Sequence, residues 1–363
     1  MIPLFDTYPA LSQNLSRVPL MAGPTPVEAA PGLGERIGVP GLWVKRDDIS
    51  GGLYGGNKVR KLEFLLARAV DAGVREVLTF GCAGSNHALA TALYAKKIGL
   101  GAILLLVPQP NSRRVRENLL ADFFAGARIR HFSHALAMAG GTAAELARGR
   151  RRTGRTPFVI PFGGSSPEGV AGYVNAAFEL AAQVRAGQCP EPDEIWTPLG
   201  SMGTAAGLAL GLWAAGLKST VMGVRVVDST FANPPGLTRL MARTAKVLHK
   251  ADATFPEAPP QGSEPRIVDG FIGRGYGSFT RECMEAVGLA ALEGISLEGT
   301  YTGKALGALA HRGRTARGMK KTVLFWNTAN SRDLFPRIAG MDYRNLPKAV
   351  HRYFEELIQP LDR

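Results

Sequence analysis

Short runs of β-forming residues recur along this chain, each followed by a longer stretch with helical spacing, and that alternation most constrains its fold. Val77–Gly81 (VLTFG) reads as a strand, followed by a helix near Asn86–Ile98 with Leu89, Leu93 and Ile98 on one face. Ala102–Val107 is a continuous apolar strand leading to a helix over Arg113–Phe124. Arg128–Phe132, a helix around Thr142–Arg152 and Phe158–Pro161 continue the pattern. The helix Glu168–Arg185, the strand Glu194–Thr197, the helix Thr204–Ala215 and the strand Thr220–Val227 follow. Strands alternating with helices predict mostly parallel sheets covered on both faces, an α/β fold. The proline-rich stretch Ala251–Pro265 reads as an exposed loop.

With 363 residues, 45% of them hydrophobic, the chain can support two domains with separate cores. Its apolar runs are too short to cross a bilayer, and the start MIPLFDTYPALSQN lacks the basic-then-apolar order of a secretory signal. Cys82, Cys189 and Cys283 cannot complete a disulfide set and lack metal-ligand spacing. A reduced, cytoplasmic setting without a bound metal or membrane contact is expected. The net charge of +13 concentrates in Arg148–Arg155 and His311–Lys321. Neither cluster carries aromatics or belongs to a nucleic-acid-binding module, so both read as solvated surface rather than a nucleic-acid footprint.

In α/β folds ligands bind where strands end and glycine-rich turns open helices. Two such turns stand out, Gly81–His87 (GCAGSNH) and Thr197–Gly207 (TPLGSMGTAAG). A third glycine-rich stretch precedes Lys58 in GGLYGGNKVRKLE, where Asn57 reads as an N-cap and Leu62, Leu65 and Leu66 form the buried helix face. A lysine in the first helical turn meets the positive end of the helix dipole, which disfavours its ammonium form and makes the amine a nucleophile. The alternative reading makes Lys58 one surface lysine among Lys45, Lys61 and others.

The segment GGNKVRKLE resembles the cofactor-lysine motif of the D-cysteine desulfhydrase and 1-aminocyclopropane-1-carboxylate (ACC) deaminase family, a branch of the tryptophan-synthase-β-like pyridoxal 5'-phosphate (PLP) enzymes. The resemblance runs from Gly23 to Thr328 and takes in WVKRDD, GSNH, PFGGSSPEGVAGYVNA, the Gly200 loop, GYGS and TYTGKA in the family's order. It implies a fold of two open, twisted sheets, with the cofactor in a cleft between a large domain (residues 1–62 and 175–363) and an inserted smaller one (residues 63–174). It also implies a homodimer acting on a small amino acid.

Carried over residue by residue, the resemblance makes Lys58 the Schiff-base lysine and Gly200, Ser201, Met202, Gly203 and Thr204 the phosphate loop. Successive N–H groups and a hydroxyl at a helix N-terminus suit such a dianion. Asn57 belongs to the same cofactor set. Asn86 is implied to contact the cofactor's phenolic oxygen, while Ser85 and adjacent N–H groups hold the substrate carboxylate. His87 joins the substrate set or, on the bland reading, is a helix-surface histidine. Tyr276 and Tyr301 resemble the active-site tyrosines placed for substrate contact and proton transfer.

Two positions bear on the reaction. ACC deaminases typically carry glutamate after the second tyrosine, near the pyridine nitrogen; Thr302 stands there, as in the desulfhydrases. Thr328 resembles the hydroxyl residue that bonds that nitrogen. Neutral hydroxyls stabilise a pyridinium less than a carboxylate does, which favours prompt β-elimination. The expected activity is conversion of D-cysteine to pyruvate, sulfide and ammonia, with ACC deaminase and L-cysteate sulfo-lyase as alternatives and, behind them, a non-catalytic basic nucleic-acid-binding protein. Gly84, where the family has glutamine, and Ala329–Asn330, where it has two glycines, alter the surroundings of the substrate.

Overall fold

The computed structural model describes residues 2–315, 319 and 321–362. Among the described residues ten strands run in chain order: β1 (Val27–Ala29), β2 (Leu42–Lys45), β3 (Glu76–Cys82), β4 (Gly101–Val107), β5 (Arg128–His131), β6 (Phe158–Ile160), β7 (Glu194–Leu199), β8 (Thr220–Arg225), β9 (Arg266–Val268) and β10 (Val323–Trp326). They form two sheets, so the expected α/β fold with mostly parallel sheets is what the chain adopts. The chain divides into one unit of residues 1–64 and 165–331 and a second of residues 65–164 and 332–363. These boundaries differ from the sequence reading, most of all in giving residues 332–363 to the second unit.

The first unit holds the six-stranded sheet, ordered β1-β2-β10-β7-β8-β9 and parallel except for β1 against β2. Residues two apart on a strand share a face, and both faces of β10 are buried. Leu324 and Trp326 enter one cluster with Ile195 and Leu199, and Val323 and Phe325 enter another with Leu42 and Trp196. The helices Pro167–Arg185 and Gly203–Ala214 are buried along most of their length. They approach closely because Gly207 and Gly211 are bare: a Cβ there would lie 2.8 Å from Val170 O and 2.6 Å from Val174 O.

The second unit carries an all-parallel sheet ordered β5-β4-β3-β6. Its helix Ala135–Thr153 begins seven residues before the expected start, because His134 caps it by accepting from the Ala137 N–H. The tail joins this unit through Tyr353, whose carbonyl accepts from Asn111 Nδ2 at 2.8 Å and Arg116 Nε at 2.7 Å. Its phenol lies 3.1 Å from His131 Nε2.

Several of the clustered basic residues are engaged by buried carboxylates. Buried Glu76 pairs with Arg128 and Arg152, and buried Glu145 with Arg130 and Arg148. Glu194 pairs with Arg312 and Lys321. Each cluster of the sequence reading thus supplies partners to buried glutamates, while Arg317 and Lys320 lie outside the described residues.

Asp122, buried on the helix Arg113–Phe124, has no partner for its Oδ1, and burial pushes its carboxyl well above the usual range. The folded chain therefore keeps this proton to higher pH than the unfolded chain. Stability from Asp122 is complete below the unfolded carboxyl value near pH 4 and is lost as pH rises. Asp122→Asn should raise the melting temperature at pH 8 by about 2–4 °C, the worth of about 1 kcal/mol in a unit of this size. Calorimetry at pH 8 and pH 4 checks this; an equal shift at both would sink the protonation argument.

Candidate functional site

The turn before Lys58 is built for close approach. A Cβ on Gly55 would lie 1.8 Å from Asp48 O, and Gly56 has φ +86° with the carbonyls of Thr328 and Ala329 under 3 Å from where its Cβ would stand. Only glycine fits both demands. The segment after β10 seals the turn from the other side. Gly55 N–H donates to Asn330 Oδ1 at 2.6 Å, and Asn57 N–H to Thr328 O at 3.3 Å. Asn330 is thus used by the backbone of the lysine turn.

Asn57 is the first residue of the helix Asn57–Asp71 rather than its cap. Its Nδ2 donates to Thr204 Oγ1 at 2.9 Å, joining the lysine turn to the Gly200 loop. Lys58, partly accessible, has its amine lowered to about 8 because burial disfavours the ammonium, an effect the Glu298 charge opposes. Val59, Leu62, Leu65 and Leu66 are buried as the periodicity predicts.

Lys61 is fully buried, and so is Lys45, so neither is the surface lysine of the bland reading. Lys61 Nζ donates to Ser165 Oγ at 3.2 Å. The same hydroxyl accepts from Gly203 N–H at 3.2 Å and lies 2.8 Å from Ser201 Oγ. A Cβ on Gly203 would stand 2.8 Å from Lys61 Nζ, so the amine sits against the opening of the helix Gly203–Ala214. Burial, and then the Lys58 charge, push Lys61 well below its ordinary value. At the loop's turn Met202 has φ 67°, the positive-φ residue other than glycine among those described. Such a left-handed residue costs free energy and is kept where it aims backbone N–H groups at a ligand.

Tyr301 borders the same loop, its ring 3.5 Å from where a Gly200 Cβ would stand. Its phenol oxygen lies 2.6 Å from that of Tyr276, with both side chains partly accessible. Thr302 is fully buried, and its Oγ1 accepts from Glu298 N–H at 3.0 Å. Glu298 accepts in return from the N–H groups of Thr300, Tyr301 and Thr302 at 2.8–3.0 Å. The Thr302 hydroxyl thus serves the start of its own helix. Neither Glu298 nor Ser165 is marked out by its local sequence, although Ser165 lies within PFGGSSPEGVAGYVNA.

The Ser85 turn belongs to the second unit. Ser85 caps the helix Asn86–Lys97, its Oγ accepting from Ala88 N–H at 3.2 Å. Asn86 Oδ1 accepts from Asn118 Nδ2 at 3.0 Å. His87 is a core residue rather than a surface one, with Nε2 3.0 Å from Thr79 Oγ1. Thr79 donates its own proton to Ile160 O, so the ring presents Nε2–H to it.

The first unit thus gathers Asn57, Lys58, Lys61, the Gly200–Thr204 loop, Tyr276, Tyr301 and Thr328. The set fits a flat aldehyde cofactor with a phosphate arm. One lysine has a depressed amine, and a buried second amine stands at a helix N-terminus where a dianion would balance it. The model for pyridoxal-phosphate-dependent enzymes matches residues 18–329. The chain belongs to this family. Its cofactor is pyridoxal phosphate.

Among relatives of this PLP enzyme, a D-cysteine desulfhydrase from Klebsiella pneumoniae is 36% identical over 337 residues, covering 89% of this chain and 97% of the relative. A nocardicin C-9' epimerase from Nocardia uniformis is also 36% identical, over 94% of this chain and 99% of its own length. The crystal structure of an ACC deaminase homologue superposes with a TM-score of 0.76 at 33% identity, covering 93% of this chain and 97% of that one. The chain is an enzyme of the ACC deaminase and D-cysteine desulfhydrase group.

Proposed function

We propose that this enzyme eliminates the β-thiol of D-cysteine, which with one water yields pyruvate, hydrogen sulfide and ammonia, and that it works as a cytoplasmic homodimer. The observation that carries the reading is Thr302. The residue after Tyr301 is a neutral, fully buried hydroxyl engaged with Glu298, where the ACC deaminases of the resembling family carry a glutamate. ACC lacks an α-hydrogen, so opening its ring calls for proton chemistry other than α-abstraction, and that glutamate is the group missing here.

In this reading Lys58 would hold PLP, and the N–H groups of Gly200–Gly203, the hydroxyls of Ser201 and Thr204, and Lys61 would hold its phosphate. Bound PLP supplies the electron sink that makes a substrate α-proton removable. Lys58 Nζ takes that proton, a task for which an amine lowered to about 8 is suited near neutral pH. Ser85 and the first N–H groups of the helix Asn86–Lys97 receive the substrate carboxylate, favoured by the helix dipole. Asn86 would serve the phenolic oxygen of the bound cofactor, and His87 supports this turn from the core. Thr328 would address the pyridine nitrogen, and Thr302 fixes the segment bearing Tyr301. In the Tyr276–Tyr301 pair one phenol donates to the other, leaving a proton for the departing sulfur. The three cysteines are unpaired, as a reducing compartment requires. Among the described residues no helix is long and apolar enough to cross a membrane.

Purified enzyme loaded with PLP is offered D-cysteine, L-cysteate and ACC, and sulfide, sulfite, 2-oxobutyrate and the chirality of recovered amino acid are measured. Sulfide with pyruvate from D-cysteine, at a kcat/KM at least about 10²-fold above that for ACC, is expected (a preference worth about 2.7 kcal/mol). Product from ACC alone, sulfite as the main product, or inverted amino acid without keto acid would each overturn the reading.

A further inference from the structure

The helix Arg113–Phe124 contributes a residue that reaches the Ser85 turn from below. Asn118 is fully buried, and its Nδ2 donates to Gly84 O at 2.9 Å and to Asn86 Oδ1 at 3.0 Å. On the other side of the same residue, Gly84 N–H donates to Gln109 Oε1 at 3.0 Å. Val115 closes the third side: a Cβ on residue 84 would stand 2.7 Å from Val115 Cγ2 and 2.9 Å from Gln109 Nε2. Gly84 is therefore held at its N–H, its carbonyl and its α-carbon, so the turn carrying Ser85 and Asn86 is gripped by a bracket of side chains.

We infer that Asn118 is a positioning residue that sets which end of the Asn86 amide faces the cofactor. An amide has one oxygen and one NH2 end. With Asn86 Oδ1 occupied by Asn118, the NH2 end is left to donate. An anionic phenolic oxygen accepts such a donor and is repelled by the carbonyl end, so a flipped Asn86 loses a charge-assisted hydrogen bond. Asn118 Oδ1 itself has no protein partner, although it is buried. A buried acceptor left unmet is a cost to the fold, set against the two hydrogen bonds that the NH2 end donates. The amide is explained by what its NH2 does to Gly84 and Asn86. The proposal rests on Asn86 facing the cofactor, as in the functional reading above.

That dependence shapes the experiment. The PLP affinity of apo-protein, read by fluorescence quenching, and the pH at which the bound cofactor's absorbance titrates are measured for Asn118→Leu, Asn118→Ala, Asn86→Ala and the double variant Asn86→Ala/Asn118→Ala. The melting temperature of each apo-protein is recorded as well. Asn118→Leu should weaken PLP binding about tenfold or more, the worth of a hydrogen bond to a charged group, and should lower the apo melting temperature, because Gly84 O and Asn86 Oδ1 lose their donor. Asn118→Ala covers the case in which leucine does not fit. The double variant should bind PLP no more weakly than Asn86→Ala alone, because Asn118 acts through Asn86. Unchanged affinity and titration in both Asn118 variants, or losses that add in the double variant, would overturn the positioning role while leaving Asn86 in place. An Asn86→Ala variant that binds PLP as well as the parent would instead remove the Asn86 reading and this proposal with it.

Discussion

Replacing Lys58 by alanine is expected to abolish covalent capture of PLP and to reduce turnover by at least about 10³-fold, within the range for losing a general base. Borohydride reduction followed by peptide mass mapping should find the cofactor on the peptide containing Lys58 in the parent and on no lysine in the variant. Attachment at Lys61 in the parent would sink the assignment. The pH dependence carries a further expectation. With its amine lowered to about 8, roughly one Lys58 in ten is neutral at pH 7, against about one in 3,000 for an ordinary lysine. Capture of PLP by apo-protein should therefore accelerate with pH and level off above about pH 8. Burial sets that value against the opposing charge of Glu298. Glu298→Gln should thus move the midpoint lower still, because the neutral amide no longer favours the ammonium.

The parts of this site visible in the sequence are those held by neighbours along the chain. The strand-to-helix turns at Gly81–His87 and Thr197–Gly207 follow from apolar runs ending in glycine and hydroxyl residues, and the ends of β4 and the helix Arg113–Phe124 fall close to where their patterns stop. Patterning fails where the determinant is distant or weak. The three-residue strands β1 and β9 are too short to show a period. The helix Ala135–Thr153 opens with small residues and the pair Gly140–Gly141, which blur its start. Lys61 shows the deeper limit. Its spacing in GGNKVRKLE matches any solvated lysine, and only Ser165 and Gly203, far along the chain, make it a buried amine at the phosphate loop. Lys45 is misread for the same reason, since its partners Glu179 and Gln183 are 134 and 138 residues away.

Removing one charge from the cluster beneath the lysine turn should cost more stability than any other single change considered for this chain. Arg60, two residues after Lys58, donates to Asp47 Oδ1 at 2.7 Å and to Glu179 Oε2 at 2.9 Å. Lys45 Nζ lies 2.6 Å from Glu179 Oε1. Tyr173 and Trp326 both donate to Asp47 Oδ2 at 2.7 Å. The four charges are buried and sum to zero. Burial alone would raise the carboxyl of Glu179, but the charges of Arg60 and Lys45 outweigh it and hold it at about 2. Asp47 is likewise lowered, burial being outweighed by Arg60.

Glu179→Gln leaves two buried cations facing one anion, and loss of a single partner from a buried ion cluster costs about 3–5 kcal/mol. At about 2–4 °C per kcal/mol for a unit of this size, the melting temperature should fall by roughly 10 °C at pH 7. The folded carboxyl is depressed, so its contribution is present above the unfolded value near pH 4.3 and fades as pH falls toward 2. Parent and variant should therefore converge in stability through that acid window, and a constant gap between them from pH 7 to pH 2 would refute the electrostatic account. The cluster also reaches the chemistry, because Gly56 N–H donates to Asp47 O at 2.7 Å and ties the turn before Lys58 to it. A Glu179→Gln protein that still folds should accordingly bind PLP more weakly, with Lys58 unaltered but the turn that presents it loosened.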